Sequence, residues 1–99
     1  MYHVIHEFEV IPEHQESFES MYGPEGDWVR LFANSEHFLG TELLKRTDKA
    51  CSYLTIDKWD SKFYYDLFLN ENRKEYSGLD HLGSKLTSDE RKMGVFNTV

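Results

Sequence analysis

The sequence predicts an α+β protein of the ferredoxin-like class, in which a four-stranded antiparallel sheet carries its helices on one face. Apolar residues recur with a period of two in separate stretches, and stretches with helical spacing follow the first and the third of them. The resulting order is strand-helix-strand, strand-helix-strand, and two such units side by side give this sheet. No low-complexity segment or linker divides the chain, so we expect one domain over residues 1–99.

The first unit begins with residues 2–10, which alternate between two faces and predict strand one. Pro12 suits the first turn of a helix, where its missing N–H costs nothing. The helix is expected to break at Gly23-Pro24, because a proline disfavours a helical residue before it. Asp27 is a possible cap for a short second helix. The apolar face of that helix, which we expect in the core, consists of Trp28, Leu31 and Phe32. Residues 38–46 are predicted as strand two.

The second unit begins with residues 53–59, whose alternation predicts strand three. Ser61 is a good N-cap, because its hydroxyl can accept a hydrogen bond from the next turn. A helix should follow and continue, bent near Gly78, to about residue 86. The Thr-x-x-Glu pattern of residues 87–90 is typical of a capping box and predicts a short helical turn. Residues 91–99 then close the chain as strand four.

Helices can cover only one face of such a sheet, yet the predicted strands carry apolar residues on both. In strand three, Leu54 and Ile56 point to one side, while Tyr53 and Trp59 point to the other. A face left in water should be more uniformly polar. We therefore expect a homodimer in which two sheets pack on each other around a two-fold axis and enclose a cavity between them.

The composition of the chain disfavours nucleic acid, membranes and metal ions as binding partners. The chain has 18 acidic and 11 basic residues and a net charge of -7, which disfavours nucleic acid. No apolar stretch approaches the roughly 20 residues of a membrane span, and no signal-peptide pattern is present, so we expect a cytoplasmic protein without a membrane partner. Cys51 is the single cysteine and cannot form an internal disulfide. The five histidines lack metal-ligand spacing, and His3 and His6 alternate onto opposite faces, so no metal site is predicted.

Three stretches together resemble the antibiotic biosynthesis monooxygenase family of the dimeric α+β barrel superfamily. They are Tyr22-Gly-Pro-Glu-Gly-Asp-Trp-Val-Arg-Leu-Phe32, Phe38-Leu-Gly-Thr-Glu-Leu-Leu44 and Tyr53-Leu-Thr-Ile-Asp-Lys-Trp-Asp-Ser61. The resemblance covers nearly the whole chain in the same order. It implies a small ferredoxin-like protein that dimerises through its sheet into a combined barrel. Members with known chemistry oxygenate aromatic polyketides to quinones without flavin or metal, and relatives degrade haem or handle small signalling molecules.

The resemblance transfers functional residues one by one. Quinone-forming members have a Trp at the end of the third strand, which Trp59 matches, and a Tyr six residues later, which Tyr65 matches. They have an Asn four residues before the Trp, where this chain has Thr55, a departure. Their basic residue further along the helix has only Arg73 as a candidate, by neighbourhood. The haem-degrading pattern is disfavoured, because strand one lacks its Asn, Phe68 takes the place of its Trp, and the helix shows no matching His.

Each candidate also has a structural interpretation. Trp59 can equally be packing, and Tyr65 on a helix is more often a core or interface residue. Asp57 lies on the same strand face as Trp59, and Glu7 lies on the same strand face as Ile5, so both carboxylates are expected to enter the barrel. A desolvated carboxylate there would have a raised pKa and could take a phenolic proton. The alternative for both carboxylates is a solvated rim or a salt bridge.

The prediction from sequence is a monooxygenase that oxidises a small phenolic or quinol-type aromatic with O₂ in the cavity of the dimer. We expect no cofactor, since the substrate supplies the electrons and neither a Gly-x-Gly-x-x-Gly nor a Walker motif is present. The candidate catalytic residues are Trp59, Tyr65 and Asp57. The candidate substrate-binding residues are Thr55, Glu7, His3 and Arg73. A non-catalytic small-ligand-binding or stress-related dimeric barrel is the alternative, which the Thr55 departure favours. A purely structural dimer, with its cavity filled by side chains, ranks last.

Overall fold

A computed structural model describes all 99 residues, from Met1 to Val99. Four antiparallel strands form one sheet: β1 (Tyr2–Val10), β2 (Phe38–Lys45), β3 (Ser52–Trp59) and β4 (Thr87–Asn97). A 3-10 turn (Pro12–His14) precedes four helices: α1 (Gln15–Tyr22), α2 (Asp27–Phe32), α3 (Lys62–Glu71) and α4 (Arg73–Ser84). The strand order is β2-β3-β1-β4, with β1 and β3 in the centre. The predicted ferredoxin-like class is confirmed.

The helices cover one face of the sheet, which we call the inner face, and leave the other, the outer face, uncovered. On the central strands the buried positions alternate with half-exposed ones. Val4 lies opposite Asp57 and Phe8 opposite Tyr53 in the β1–β3 ladder, so these four side chains share the inner face. The core between this face and the helices is mainly aromatic. Its buried rings belong to Tyr2, Phe8, Phe18, Tyr22, Trp28, Phe32, Tyr53, Trp59, Tyr65 and Phe68.

Helix boundaries agree with the sequence at the start of α3 and differ at its end. The Ser61 hydroxyl accepts a hydrogen bond from the backbone N–H of Tyr64 at 3.4 Å, as the predicted N-cap requires. The predicted single helix to about residue 86 is wrong. The chain breaks at Asn72, whose side-chain amide donates to the Phe68 carbonyl at 2.9 Å, and α4 then begins at Arg73. The Asn72 backbone N–H donates to the same carbonyl at 3.0 Å, and the non-helical dihedrals of Asn72 (φ -126°, ψ 30°) separate α3 from α4.

The capping-box prediction for residues 87–90 is also wrong. This segment is the start of β4, with Thr87 opposite Val10 and Glu90 opposite Phe8 in the β1–β4 ladder. A Thr-x-x-Glu pattern is a local preference worth about 1 kcal/mol. Pairing with β1 along the ladder, which has register shifts between Ile5 and His6 and between Glu9 and Val10, outweighs that preference, because tertiary pairing decides between two locally possible structures.

The outer face carries the apolar side chains that the sequence predicted. Ile5, Leu54 and Ile56 are half-buried there even though nothing covers them. At the edges of this face Leu44 is 45% exposed and Phe96 51% exposed, opposite Leu54 and His3 in their ladders. A homodimer through this face stays a prediction. None of the helices combines the length and the apolar character that crossing a bilayer requires.

Candidate functional site

A half-open pocket lies between the inner face of the sheet and the helices, within a single chain. Its volume is about 30 Å³, room for one or two water molecules. The sheet forms its floor with His6, Phe8, Thr41, Thr55, Asp57 and Glu90. The helices form its walls with Tyr22, Trp28, Phe32, Tyr76 and Asp80. The cavity predicted from the sequence lies between two sheets; this pocket lies instead on the helix side, because the helices cover the face that carries Thr55 and Asp57.

Asp57 is the central polar group of the pocket. It lies in the middle of β3, is 9% exposed, and forms no salt bridge. The Thr41 hydroxyl on β2 donates a hydrogen bond to its Oδ1 at 2.7 Å. Burial raises the pKa of Asp57 to about 6, and the Thr41 hydrogen bond opposes this increase. A carboxylate with this pKa is ionised at neutral pH and can accept a proton there.

A histidine and two further carboxyl groups that were not among the predicted site residues also line the pocket: His6, Asp80 and Glu90. His6 lies on the inner face, where burial and then Lys92 lower its pKa, while Asp80 opposes the effect. Burial and the Asp80 carboxylate raise the pKa of Glu90. His6 could have been found as the one polar residue on the otherwise apolar inner face of β1. Glu90 was hidden by its assignment to a helical turn.

Two of the three buried polar atoms that lack a hydrogen-bond partner belong to the pocket wall. They are the hydroxyl oxygen of Tyr22 and the indole Nε1 of Trp28; the third is the Nε1 of Trp59. Burial raises the pKa of Tyr22 to about 12. The Tyr22 hydroxyl lies against α4, since a Cβ at Gly83 would be 2.1 Å from it. Buried polar groups normally have partners, so a bound group with hydrogen-bonding atoms would complete this wall.

Trp59 and Tyr65 lie behind the pocket rather than on its surface. Trp59 is fully buried at the end of β3, and its ring centroid is 5.6 Å from that of Tyr65. Three phenylalanines surround it at centroid distances of 5.1 to 5.5 Å: Phe32, Phe38 and Phe68. Burial also raises the pKa of Tyr65. Of these neighbours only Phe32 reaches the pocket, so Trp59 and Tyr65 support the pocket wall by packing.

The structure brings together only part of the predicted substrate-binding set. Thr55 lines the pocket and lies directly opposite His6 in the ladder. Glu7 and His3 point to the outer face. The Glu7 carboxylate forms an ion pair with Arg91, the salt-bridge alternative of the sequence analysis. The His3 Nδ1 lies 3.4 Å from the Phe96 carbonyl oxygen.

Arg73 lies outside the pocket as well. It is exposed at the start of α4, where its guanidinium donates a hydrogen bond to the Asn70 side chain at 3.0 Å. No three His, Cys, Asp or Glu side chains lie close enough together to hold a metal ion. The residues that line the pocket supply aromatic rings and carboxyl groups, and none of them is a Lys or an Arg.

Comparison with solved structures identifies proteins of the same fold. The chain resembles a point variant of SnoaB, a cofactor-independent oxygenase from Streptomyces nogalater, with a TM-score of 0.75 and 20% identity over 98% of this chain and 91% of that one. A protein from Bordetella bronchiseptica, provisionally named an antibiotic biosynthesis monooxygenase, gives a TM-score of 0.75 at 12% identity over 99% and 96% of the two chains. A conserved protein from Methanosarcina mazei gives 0.73 at 11% identity over 99% and 92%.

The fold is therefore that of the antibiotic biosynthesis monooxygenases, as the sequence resemblance implied. No protein-family model matches the sequence, and comparison with curated proteins gave no match. One fold can carry different activities, so the function has to be argued from the residues of this pocket.

Proposed function

We propose that the protein is a monooxygenase that oxidises a small phenolic or quinol-type aromatic with O₂, without a bound cofactor, in the pocket on the inner face of the sheet. Asp57 acts as the base. The observation that carries the proposal is a buried carboxyl group with a pKa of about 6 and no cationic partner, at the floor of an aromatic pocket. The oxygenase SnoaB, which has the same fold, supports it.

The reaction that this arrangement supports begins when Asp57 removes the phenolic proton of the substrate, which places carbanion character on a ring carbon that bears one hydrogen. This carbon transfers its electrons to O₂, a carbon–oxygen bond forms, and the proton held by Asp57 converts the peroxide to a hydroperoxide. Loss of the hydrogen on that carbon as a proton breaks the O–O bond and leaves a quinone carbonyl, and the departing hydroxide takes up this proton to become water. The substrate thus loses four electrons and O₂ gains four. The aromatic walls exclude water and hold the ring in one orientation, which favours each step.

Substrate entry requires the pocket to widen, since about 30 Å³ is too small for an aromatic ring. Helix α4 is the element best suited to move, because Gly83 is its only buried residue. Its remaining contacts with the core come from partly buried side chains, Tyr76 and Leu79. Movement of α4 would carry Tyr76 and Asp80 away from the sheet, and the ligand would supply partners for the Tyr22 hydroxyl and the Trp28 indole.

Comparison of wild-type protein with Asp57→Asn tests the proposal. Oxygen uptake is measured with a panel of anthrones and hydroquinones, and Asp48→Asn, which removes an exposed carboxylate paired with Arg46, is the matched control. We expect wild type and control to consume O₂, with a rate that rises as the pH increases through about 6 and levels off above it, and Asp57→Asn to be slower by roughly 10²- to 10⁴-fold. Equal rates for wild type and Asp57→Asn would refute the role of this carboxylate.

The proposal includes a cytoplasmic homodimer that pairs through the outer face. Half-exposed apolar side chains at the centre of that face, including Ile56, support it, because a single sheet face left in water should be polar. Sedimentation should give a dimer for the wild type and a monomer for Ile56→Lys. A wild-type monomer at micromolar concentration would contradict this part of the proposal and leave the pocket chemistry untouched.

A second candidate function is small-ligand binding without turnover. Two observations favour it: the pocket is small, at about 30 Å³, and Trp59 packs in the core instead of reaching the ligand space. The same oxygen-uptake panel separates the two functions when it is combined with a binding measurement. Tight binding of aromatics together with uptake at the no-enzyme rate would establish the carrier, whereas uptake that depends on Asp57 would establish the oxygenase.

A further inference from the structure

The pocket is strongly electronegative. Asp57, Asp80 and Glu90 line it, and the one basic side chain among the lining residues is His6. None of the three carboxylates forms a salt bridge with a Lys or Arg. Their mutual effect is visible at Tyr76, where burial, and then the charges of Asp80, Glu90 and Asp57, raise the pKa to about 12. Lys92 lies close enough to lower the pKa of His6 but forms no salt bridge with these carboxylates, so a bound positive charge would offset the remaining excess of negative charge.

Aromatic rings surround the same space. The rings of Tyr22, Trp28 and Tyr76 all line the pocket. Trp28 lies between the other two, with its centroid 4.9 Å from that of Tyr76 and 6.0 Å from that of Tyr22. The face of an aromatic ring attracts cations, and a cage of several rings beside carboxylates is the usual protein environment for an alkylammonium group. The aromatic rings and the carboxylates therefore both favour a positively charged ligand.

An independent observation indicates that a ligand completes this pocket. The Tyr22 hydroxyl and the Trp28 Nε1 are buried without a hydrogen-bond partner, in side chains that are 5% and 7% exposed. Trp28 Nε1 can only donate; it lies close enough to the Tyr22 hydroxyl to lower the pKa of that group, but the two do not meet hydrogen-bond geometry, so an acceptor atom on a ligand would complete this donor. A phenolic or carbonyl oxygen supplies one. The wall thus favours an oxygen acceptor, and the charge of the pocket favours a cation.

We infer that the pocket selects aromatic ligands that carry an alkylammonium group in addition to a ring oxygen, and that Asp80 and Glu90 are its specificity-determining residues. The inference rests on the proposed function, because it concerns the same pocket and names the substrate class that enters it. Asp80 and Glu90 are the exposed members of the acidic set, so they lie at the mouth and meet the charged end of the ligand. Anionic aromatics are excluded by the same carboxylates.

Three phenols that differ only at the end of the side chain test this inference. Tyramine is cationic, tyrosol is its neutral near-isostere, and 3-(4-hydroxyphenyl)propionate is anionic. Binding is measured by calorimetry at neutral pH with the full-length protein. We expect tyramine to bind roughly ten-fold more tightly than tyrosol, and the anion to bind more weakly than tyrosol. The preference for tyramine should decrease as salt is added.

Two variants test whether Asp80 and Glu90 cause the preference for tyramine over tyrosol. Asp80→Asn and Glu90→Gln should each reduce the tyramine-to-tyrosol ratio by about three-fold, and Asp48→Asn, far from the pocket, should leave it unchanged. Equal affinity for tyramine and tyrosol would overturn the inference and leave the proposed function standing. A preference that survives both mouth variants would also overturn it. If none of the three phenols binds, the inference fails, and the oxygen-uptake panel with Asp57→Asn decides the proposed function separately.

Discussion

Replacement of Asp57 by Asn should stabilise the folded protein at neutral pH. The pKa of this carboxyl rises from the ordinary value of 3.8 to about 6 because burial disfavours its charge. At 1.36 kcal/mol for each pKa unit, the folded state at neutral pH bears a cost of about 3 kcal/mol for the ionised side chain. An Asn side chain has nearly the same shape, carries no charge, and can still accept the hydrogen bond from Thr41.

The stability that Asp57→Asn gains over wild type should be largest above about pH 6 and should disappear below about pH 4. Above about pH 6 the Asp57 carboxyl is ionised in the folded and unfolded states, so wild type bears the full cost. Between about pH 6 and pH 4 the folded state binds the proton while the unfolded state does not, and wild type gains stability as the pH falls. Below about pH 4 the carboxyl is protonated in both states, and the advantage of Asp57→Asn should disappear.

Urea denaturation of the two proteins at a fixed protein concentration, from about pH 4 to pH 8, measures this effect. Asp48→Asn is the control, because Arg46 holds the pKa of the exposed Asp48 carboxyl below its usual value, so removal of its charge should give no gain at neutral pH. A variant that is less stable than wild type at neutral pH, or a gain that persists unchanged at about pH 4, would refute the assignment of Asp57 as a desolvated carboxylate.

The remaining predictions concern packing, capping and assembly. Gly83→Ala should lower the free energy of unfolding by about 1–3 kcal/mol, because its Cβ would overlap the Tyr22 hydroxyl, and Tyr22→Phe should recover part of this loss in the double mutant. Gly78→Ala in the same helix meets nothing within 4 Å and should instead stabilise by about 0.5–1 kcal/mol; urea denaturation checks these variants. Ser61→Ala should cost about 1 kcal/mol through the lost α3 cap, seen as a lower melting temperature. Phe96→Lys should weaken the proposed dimer, measured by sedimentation, since Phe96 is 51% exposed on the outer face.

Local patterns predicted most of the fold because each element carried its own signal. Alternation in residues 53–59, the cap at Ser61 and the break at Gly23-Pro24 all agree with the structure. The two errors have one cause. At Asn72 a single residue leaves helical dihedrals, and at Thr87 a strand ladder forms; neither can be read from neighbouring residues alone.

The candidate site was harder to predict because it depends on which face of the sheet the helices cover. Alternation placed Thr55 and Asp57 on one face correctly, but it could not say which face would enclose a cavity. Glu7 was therefore expected beside the ligand, and it pairs with Arg91 on the outer face instead. Asp80 reaches the pocket only because α4 crosses the sheet, and nothing in its local sequence indicates this position.

The distribution of polar residues on the inner face argues for function rather than for stability. Along the inner face of β3 the polar residues Thr55 and Asp57 lie between the buried rings of Tyr53 and Trp59. Along the inner face of β1, His6 lies between apolar residues. A cost of about 3 kcal/mol at Asp57 is large beside the 5–15 kcal/mol that stabilises a typical domain. Such costs persist where a site requires them. Binding alone requires shape and charge, whereas a carboxyl with a pKa of about 6 is the property that proton abstraction requires. The pocket chemistry therefore favours the oxygenase over the carrier.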